Sequence, residues 1–159
     1  MLGSKIVDLK RLILISPEFL IGLLVFYLFN EYPEVFVNIT TKVKEESNIT
    51  DVVSALPFSF VAVSYHLGMG VIRPGDEEEN KVLYEWPYYW MLEHRFYGSL
   101  VICILCSLSI IWLYINPTNL GDAALGGILV AAISISATTV FLLAIARVTL
   151  RKILTMYSY

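Results

Sequence analysis

The stretch AALGGILVAAISISATTVFLLAIA, residues 123–146, runs for 24 residues without a charge, between Asp122 and Arg147. A helix needs about 20 mostly apolar residues to cross the hydrocarbon of a bilayer. This stretch therefore predicts a transmembrane helix and sets the fold class. Working outward, the same count applies to its neighbours. Phe96 to Gly121 holds 26 uncharged residues, and Val52 to Ile72 holds 21. Leu12 to Asn30 holds 19 residues with one charge, Glu18. The reading is an all-α membrane protein of four transmembrane helices, at about 12–30, 52–72, 96–116 and 123–146, in a single domain. It is expected to assemble as an oligomeric bundle.

Composition agrees. Of 159 residues, 57% are apolar and only 16% are charged, and the mean hydropathy is +0.70. Soluble domains carry about 25% charged residues, and a soluble fold of this size has too little interior for so many apolar side chains. The net charge of −3 offers no basic footprint for nucleic acid. Lys5, Lys10 and Arg11 precede the first apolar run, but no small-x-small cleavage site follows them, so the segment reads as a membrane helix and not a cleaved signal.

The second span is diluted by Pro57, His66 and several serines, and charge asymmetry decides it. Cytoplasmic loops collect Lys and Arg. With both termini inside, the inner segments 1–11, 73–95 and 147–159 hold Lys5, Lys10, Arg11, Arg73, Lys81, Arg95, Arg147, Arg151 and Lys152. These are nine of the eleven basic residues; Lys42 and Lys44 are the other two. Removing the second crossing puts one basic cluster on the wrong face. The protein is therefore placed in the cell inner membrane as a multi-pass chain.

Local signals refine the limits. Ser16-Pro17-Glu18 predicts a helix start: a capping hydroxyl, proline at the first position and an acid in the first turn. It would separate a short interfacial helix, about 4–15, from the first span. Asn116-Pro117-Thr118-Asn119 predicts a tight turn that makes the last two helices antiparallel neighbours. Residues 31–50 read as a polar outer loop. Its two Asn-Ile-Thr triplets, at Asn38 and Asn48, are glycosylation acceptors only in a eukaryotic secretory chain.

Small residues mark packing faces, because helices in lipid associate through close approach. Ala123, Gly127, Ala131, Ser134 and Thr138 form one stripe on the fourth span, suited to packing within the chain or to self-association. Ala55, Ser59, Ala62, His66 and Gly70 form another on the second. His66 and Ser59 are the candidate polar intramembrane site. His66 is expected either to hydrogen-bond to a neighbouring helix or to respond to protons or a ligand, since ionisable groups within a membrane usually face the protein interior. Glu18 is expected at an interfacial helix start, where the dipole favours an acid.

Catalytic chemistry finds little support. Cys103 and Cys106 form a C-x-x-C, but a membrane thiol oxidoreductase needs a second pair and the chain has two cysteines in all. His66 and His94 lie 28 residues apart with no ligand-spaced neighbours, so no metal is expected. No Gly-rich phosphate loop occurs, and no cofactor is implied.

The segment 73–97 is the most distinctive. A turn, Arg73-Pro74-Gly75-Asp76, leads into Glu77, Glu78 and Glu79, then Tyr84-Glu85-Trp86-Pro87-Tyr88-Tyr89-Trp90. Pro87 is expected to open a helix reaching about Ile115. At 1.5 Å per residue it would be about 43 Å long, longer than the hydrocarbon is thick. An aromatic belt at the membrane surface explains part of this. Aromatic anchors beside charges also make a docking surface, formed by Asp76, Glu77, Glu78, Glu79, Trp86, Trp90 and Arg95.

The pattern Trp86-Pro87-x-Tyr89-Trp90-x-Leu92-x-x-Arg95-x-Tyr97-x-Ser99-Leu100, with the Ser16-Pro17 helix entry, resembles a juxtamembrane stretch in small membrane proteins of bacterial antiphage operons. The nearest family is the membrane subunit of Kiwa-type defence. The resemblance covers about thirty residues. It implies an oligomeric four-helix subunit that senses infection and recruits a soluble effector, without catalytic residues of its own. The expected function is accordingly a non-enzymatic sensor or anchor that binds itself, the bilayer and a cytosolic protein. The alternatives are a pore lined by Ser59, His66, Ser134 and Thr138, and a thiol oxidoreductase.

Overall fold

A computed structural model describes residues 16–75, 77–115 and 120–157. Every regular element among them is helical: α1 (Pro17–Glu31), α2 (Pro33–Glu45), α3 (Ser47–Ile72), α4 (Glu77–Glu85), α5 (Tyr89–Ile115) and α6 (Asp122–Tyr157). Three helices, α3, α5 and α6, are long and apolar enough to cross a membrane. α1 and α2 pass the same test only as a pair, and the pair is bent by 99°. The fold is thus an all-helical bundle with three straight candidate spans and a fourth that is broken.

The start of α1 follows from its sequence. The Ser16 hydroxyl accepts the Phe19 N–H at 3.2 Å, Pro17 occupies the first turn, and Glu18 follows it. Tyr32 ends the helix with non-helical angles, and Pro33 begins α2. A proline at the start of a helix forgoes an N–H that has no partner there, and it disfavours helical geometry in the residue before it. The chain therefore turns at Tyr32. Residues 33–45, expected as an irregular loop, are helical. Their apolar Phe36 and small Thr40, four residues apart, are buried while most of their neighbours are exposed.

α6 is the axis of the bundle and touches α1, α2, α3 and α5. α1 runs antiparallel to it: Gly22 faces Ile135, and Phe29 lies over Gly127. α2 then crosses the beginning of α6, where the Phe36 carbonyl lies directly over Gly126. The Thr40 hydroxyl is 2.8 Å from the Asp122 carbonyl and 3.1 Å from that of Phe36, so its one proton is shared between them. Lys44 pairs with Asp122 at 2.6 Å, with both side chains half exposed. Such a pair contributes at most about 1 kcal/mol. α3 runs antiparallel to α5, with Ser64 against Cys103 and Gly68 against Phe96, and Gly70 near its end meets Arg147. The start of α1, the end of α3, the start of α5 and the far part of α6 therefore share one end of the bundle.

Two boundaries differ from expectation. α5 begins at Tyr89 and not at Pro87, which lies in a turn closed by the Tyr89 N–H on the Trp86 carbonyl at 3.0 Å. α6 continues past Ala146 to Tyr157. Its 36 residues make about 54 Å at 1.5 Å each, so it too outruns the hydrocarbon. The 4–15 helix and the 116–119 turn lie outside the described residues.

Gly68 leaves the least room for a side chain, because Phe96 packs on it. The ring is 1% exposed and fills the space that a Cβ at Gly68 would occupy. Gly98, also on α5, has open space at its Cβ position. Gly68→Ala should lower the free energy of unfolding by about 1–3 kcal/mol through overpacking. Gly98→Ala should raise it by up to about 1 kcal/mol, because glycine weakens a helix interior. Reversible unfolding in a mixed-detergent titration reads both, and equal effects of the two variants would contradict the packing described.

Candidate functional site

The segment between α3 and α5 is built in three steps. Arg73 closes α3, its N–H bonding to the Met69 carbonyl at 2.9 Å. Pro74 is buried and ends the helix. The Asn80 amide then grips the turn from α4: it donates to the Gly75 carbonyl at 2.9 Å and accepts the Gly75 N–H at 3.5 Å. Leu83, 4% exposed, anchors α4. The Trp86 N–H on the Leu83 carbonyl at 3.2 Å starts the turn into α5.

This scaffold holds a shelf of aromatic rings. Tyr84 and Tyr89 meet edge to face with centroids 5.0 Å apart, and Trp86 and Tyr88 do the same at 5.9 Å. Tyr84, Trp86 and Tyr88 nevertheless remain 47%, 47% and 58% exposed. Each ring is locked by a neighbour yet presents about half its surface outward. Such rigid, amphipathic area is what a partner or the headgroup region can use.

The expected docking residues do not all join the shelf. Trp86 does. Trp90 is half-buried one turn into α5, edge to face with His94 at 5.7 Å. The His94 Nδ1 lies 2.8 Å from the Trp90 carbonyl. Arg95 is exposed but faces a different feature, a cavity at the side of α5. Glu77, Glu78 and Glu79 form the beginning of α4. Asp76 lies outside the described residues. Tyr84 and Tyr88, which sequence reasoning passed over, complete the shelf. Their signal was their place on either side of Trp86-Pro87.

The middle of the stripe on α6, Gly127 and Ala131, faces α1. Ala123, Gly127, Ala131, Ser134 and Thr138 are all half-buried. Gly127 receives the Phe29 ring at 2.9 Å from its Cβ position, and Ala131 borders the same groove with Gly22 and Val25. The Thr138 hydroxyl donates to the Ser134 carbonyl at 2.7 Å. Gly127 and Ala131 thus pack against α1 within the chain.

His66 and Ser59 are placed otherwise than expected. Ala55, Ser59, Ala62 and His66 are exposed, so this face of α3 points away from the bundle. The Ser59 hydroxyl bonds its own helix, at the Ala55 carbonyl, 3.2 Å away. His66 contacts no neighbouring helix by hydrogen bond among the described residues. The packed face is instead Pro57, Ser64, Gly68 and Val71, and the reason is steric. Gly68 leaves room for the Phe96 ring where a Cβ would clash, and the Ser64 hydroxyl lies against Cys103.

A polar seam that the sequence reading missed joins α3, α5 and α6. Ser64, Cys103 and Thr139 are 0% exposed, Ser136 is 1% and Ser107 is 4%. The Ser64 hydroxyl lies 3.6 Å from the Cys103 sulfur, and the Ser107 hydroxyl donates to the Cys103 carbonyl at 2.9 Å. Ser99, Cys103 and Ser107 recur every four residues, and that period was the available signal. Cys103 and Cys106 are free thiols. Among the described residues no three His, Cys, Asp or Glu side chains converge as a metal site would require.

Neither family models nor curated proteins nor solved structures give a match to this chain.

Complete enclosure of Cys103 has a direct chemical test. In a Cys106→Ser variant, Cys103 should resist the membrane-permeant thiol reagent N-ethylmaleimide until the bundle is unfolded. Rapid modification of the folded protein would show that the seam is open.

Proposed function

We propose that this chain is a non-enzymatic membrane subunit that holds a cytosolic protein at the aromatic end of its bundle. The carrying observation is the shelf of Tyr84, Trp86 and Tyr88, three half-exposed rings on a braced turn outside the apolar spans. Single exposed apolar residues are ordinary, but contiguous aromatic ones at fixed geometry mark interaction surfaces.

Charge supports the orientation. Arg73, Lys81, Arg95, Arg147, Arg151 and Lys152 belong to the end of the bundle that carries the shelf, whereas Lys42 and Lys44 belong to the other. By the positive-inside rule the shelf end faces the cytoplasm, and in a bacterium the membrane is the inner one. The Kiwa-like pattern of 86–100 favours antiphage defence as the setting and a soluble effector as the partner. In that setting the subunit also binds further copies of itself.

Trp86 and Tyr88 are the residues to change, because Trp90 also braces α5. Trp86→Ala/Tyr88→Ala should reduce co-purification of the soluble partner from the native host by tenfold or more, since buried aromatic anchors each contribute about 2 kcal/mol or more at interfaces. The amount of protein in the membrane should be unchanged. Undiminished recovery of the same partner by the double variant would refute the docking role.

A further inference from the structure

Beside the aromatic shelf, and independent of its docking role, lies a cavity of about 370 Å³ between α1, α5, α6 and the end of α3 at Val71. Its size falls in the range of small-molecule sites, about 300–1,000 Å³. Most of its wall is apolar, supplied by Leu142, Ile145, Leu150 and Ile153 of α6 with Phe96 of α5. Four polar side chains border it: Glu18, Ser99, Arg95 and, on α6, Thr149.

Glu18 is the anomaly. It is 4% exposed, and its one hydrogen bond among the described residues is from Ser99 at 3.5 Å. A buried carboxylate normally accepts several short hydrogen bonds or faces a cation. Arg95 borders the same cavity, but it makes no ion pair with Glu18 among the described residues, where the single salt bridge is Lys44 with Asp122. An acid and a base therefore share one cavity without meeting. A ligand with a cation at one end and an anion at the other would satisfy both.

The cavity's place narrows the ligand. Arg95 is the last charge before the uncharged run of α5, and Glu18 opens α1. Both lie at an end of an apolar run, where a span meets the headgroups, and the apolar wall continues along α6. We propose that this cavity binds the headgroup of an aminophospholipid. Its primary ammonium faces Glu18 and Ser99, its phosphodiester faces Arg95, and its acyl chains lie along Leu142, Ile145 and Leu150. An ammonium offers three N–H donors to the underserved carboxylate. A trimethylammonium offers none, so ethanolamine is favoured over choline. A guanidinium matches the phosphate with two parallel N–H bonds.

Purified protein reconstituted in nanodiscs and released for native mass spectrometry provides the test. Discs contain phosphatidylglycerol with an equal amount of either phosphatidylethanolamine or phosphatidylcholine. Wild type should retain one phosphatidylethanolamine per chain at tenfold or greater excess over phosphatidylcholine. Glu18→Gln keeps the shape and the Ser99 contact, and it should erase that preference. Arg95→Gln should release both lipids from the site. Equal retention of the two lipids by wild type, or an unchanged preference in Glu18→Gln, would overturn the proposal. So would displacement of the retained lipid by soluble phosphoethanolamine at matching concentration, because that assigns the site to a free metabolite. Helical circular dichroism and the melting temperature of each variant establish that the bundle is intact. Added phosphatidylethanolamine should also raise the melting temperature of detergent-solubilised wild type but not of Glu18→Gln, as mass action requires of a ligand bound only by the folded state.

Discussion

Distance of approach governs this bundle more than burial of apolar surface does. Lipid tails are as apolar as leucine, so helices gain little by hiding leucine from them and must gain by fitting closely. At several contacts with α6, or between α3 and α5, one partner is reduced to a hydrogen, while Ile72, Phe96 and Leu143 form a small apolar cluster between α3, α5 and α6. Gly126 lies under the Phe36 carbonyl, Gly127 under Phe29, Gly70 under Arg147 and Gly68 under Phe96. Ser64, Cys103, Ser107, Ser136 and Thr139 are buried in the same three-helix seam. Large apolar residues such as Phe26, Leu105 and Phe141 turn outward, 64%, 56% and 65% exposed. In a soluble protein that distribution would be inverted.

From this constraint the remaining features follow. α2 crosses the start of α6 because Gly126 leaves room for its backbone, and Thr40 then reaches the Asp122 carbonyl. The 99° bend at Tyr32 keeps α2 across the end of the bundle, so the broken span needs only α1 to run along α6. At 15 residues α1 is about 22 Å long, short of the roughly 30 Å of hydrocarbon. At the opposite end the shelf sits on α4 and the turn before α5, and the cavity lies between α1, α5, α6 and the end of α3.

The long uncharged runs made three spans readable without coordinates, and Ser16-Pro17 marked the start of α1 for a local reason, a cap. What the sequence hid was rotation about each helix axis. On α3 the small-residue stripe read from sequence, Ala55-Ser59-Ala62-His66-Gly70, is packed only at Gly70, against Arg147, whereas Pro57, Ser64, Gly68 and Val71 are buried, with Gly68 making room for Phe96. On α6 the neighbouring pairs Ser134/Thr138 and Ser136/Thr139 differ by the same kind of choice. The polar residues 33–45 read as a loop because their hydropathy is low, yet Phe36 and Thr40 were spaced for a helix lying on another surface. At the aromatic end composition pointed to the right segment, but which rings stand free depends on the turn at Trp86–Tyr88. Glu18 was legible as a helix-start acid and illegible as a buried one, since its burial depends on residues more than seventy positions away.

The proposed orientation requires that α3, one of the three straight candidate spans, crosses the membrane, so that α2 and the shelf lie on opposite faces. The direct measurement is labelling of single cysteines, in a Cys103→Ser/Cys106→Ser background, by a membrane-impermeant maleimide on intact spheroplasts. Glu45→Cys, at the end of α2, should label without permeabilisation. Glu85→Cys and Lys152→Cys should label only after it. Labelling of Glu45→Cys and Glu85→Cys from the same side would mean that α3 does not cross, and the account would fail.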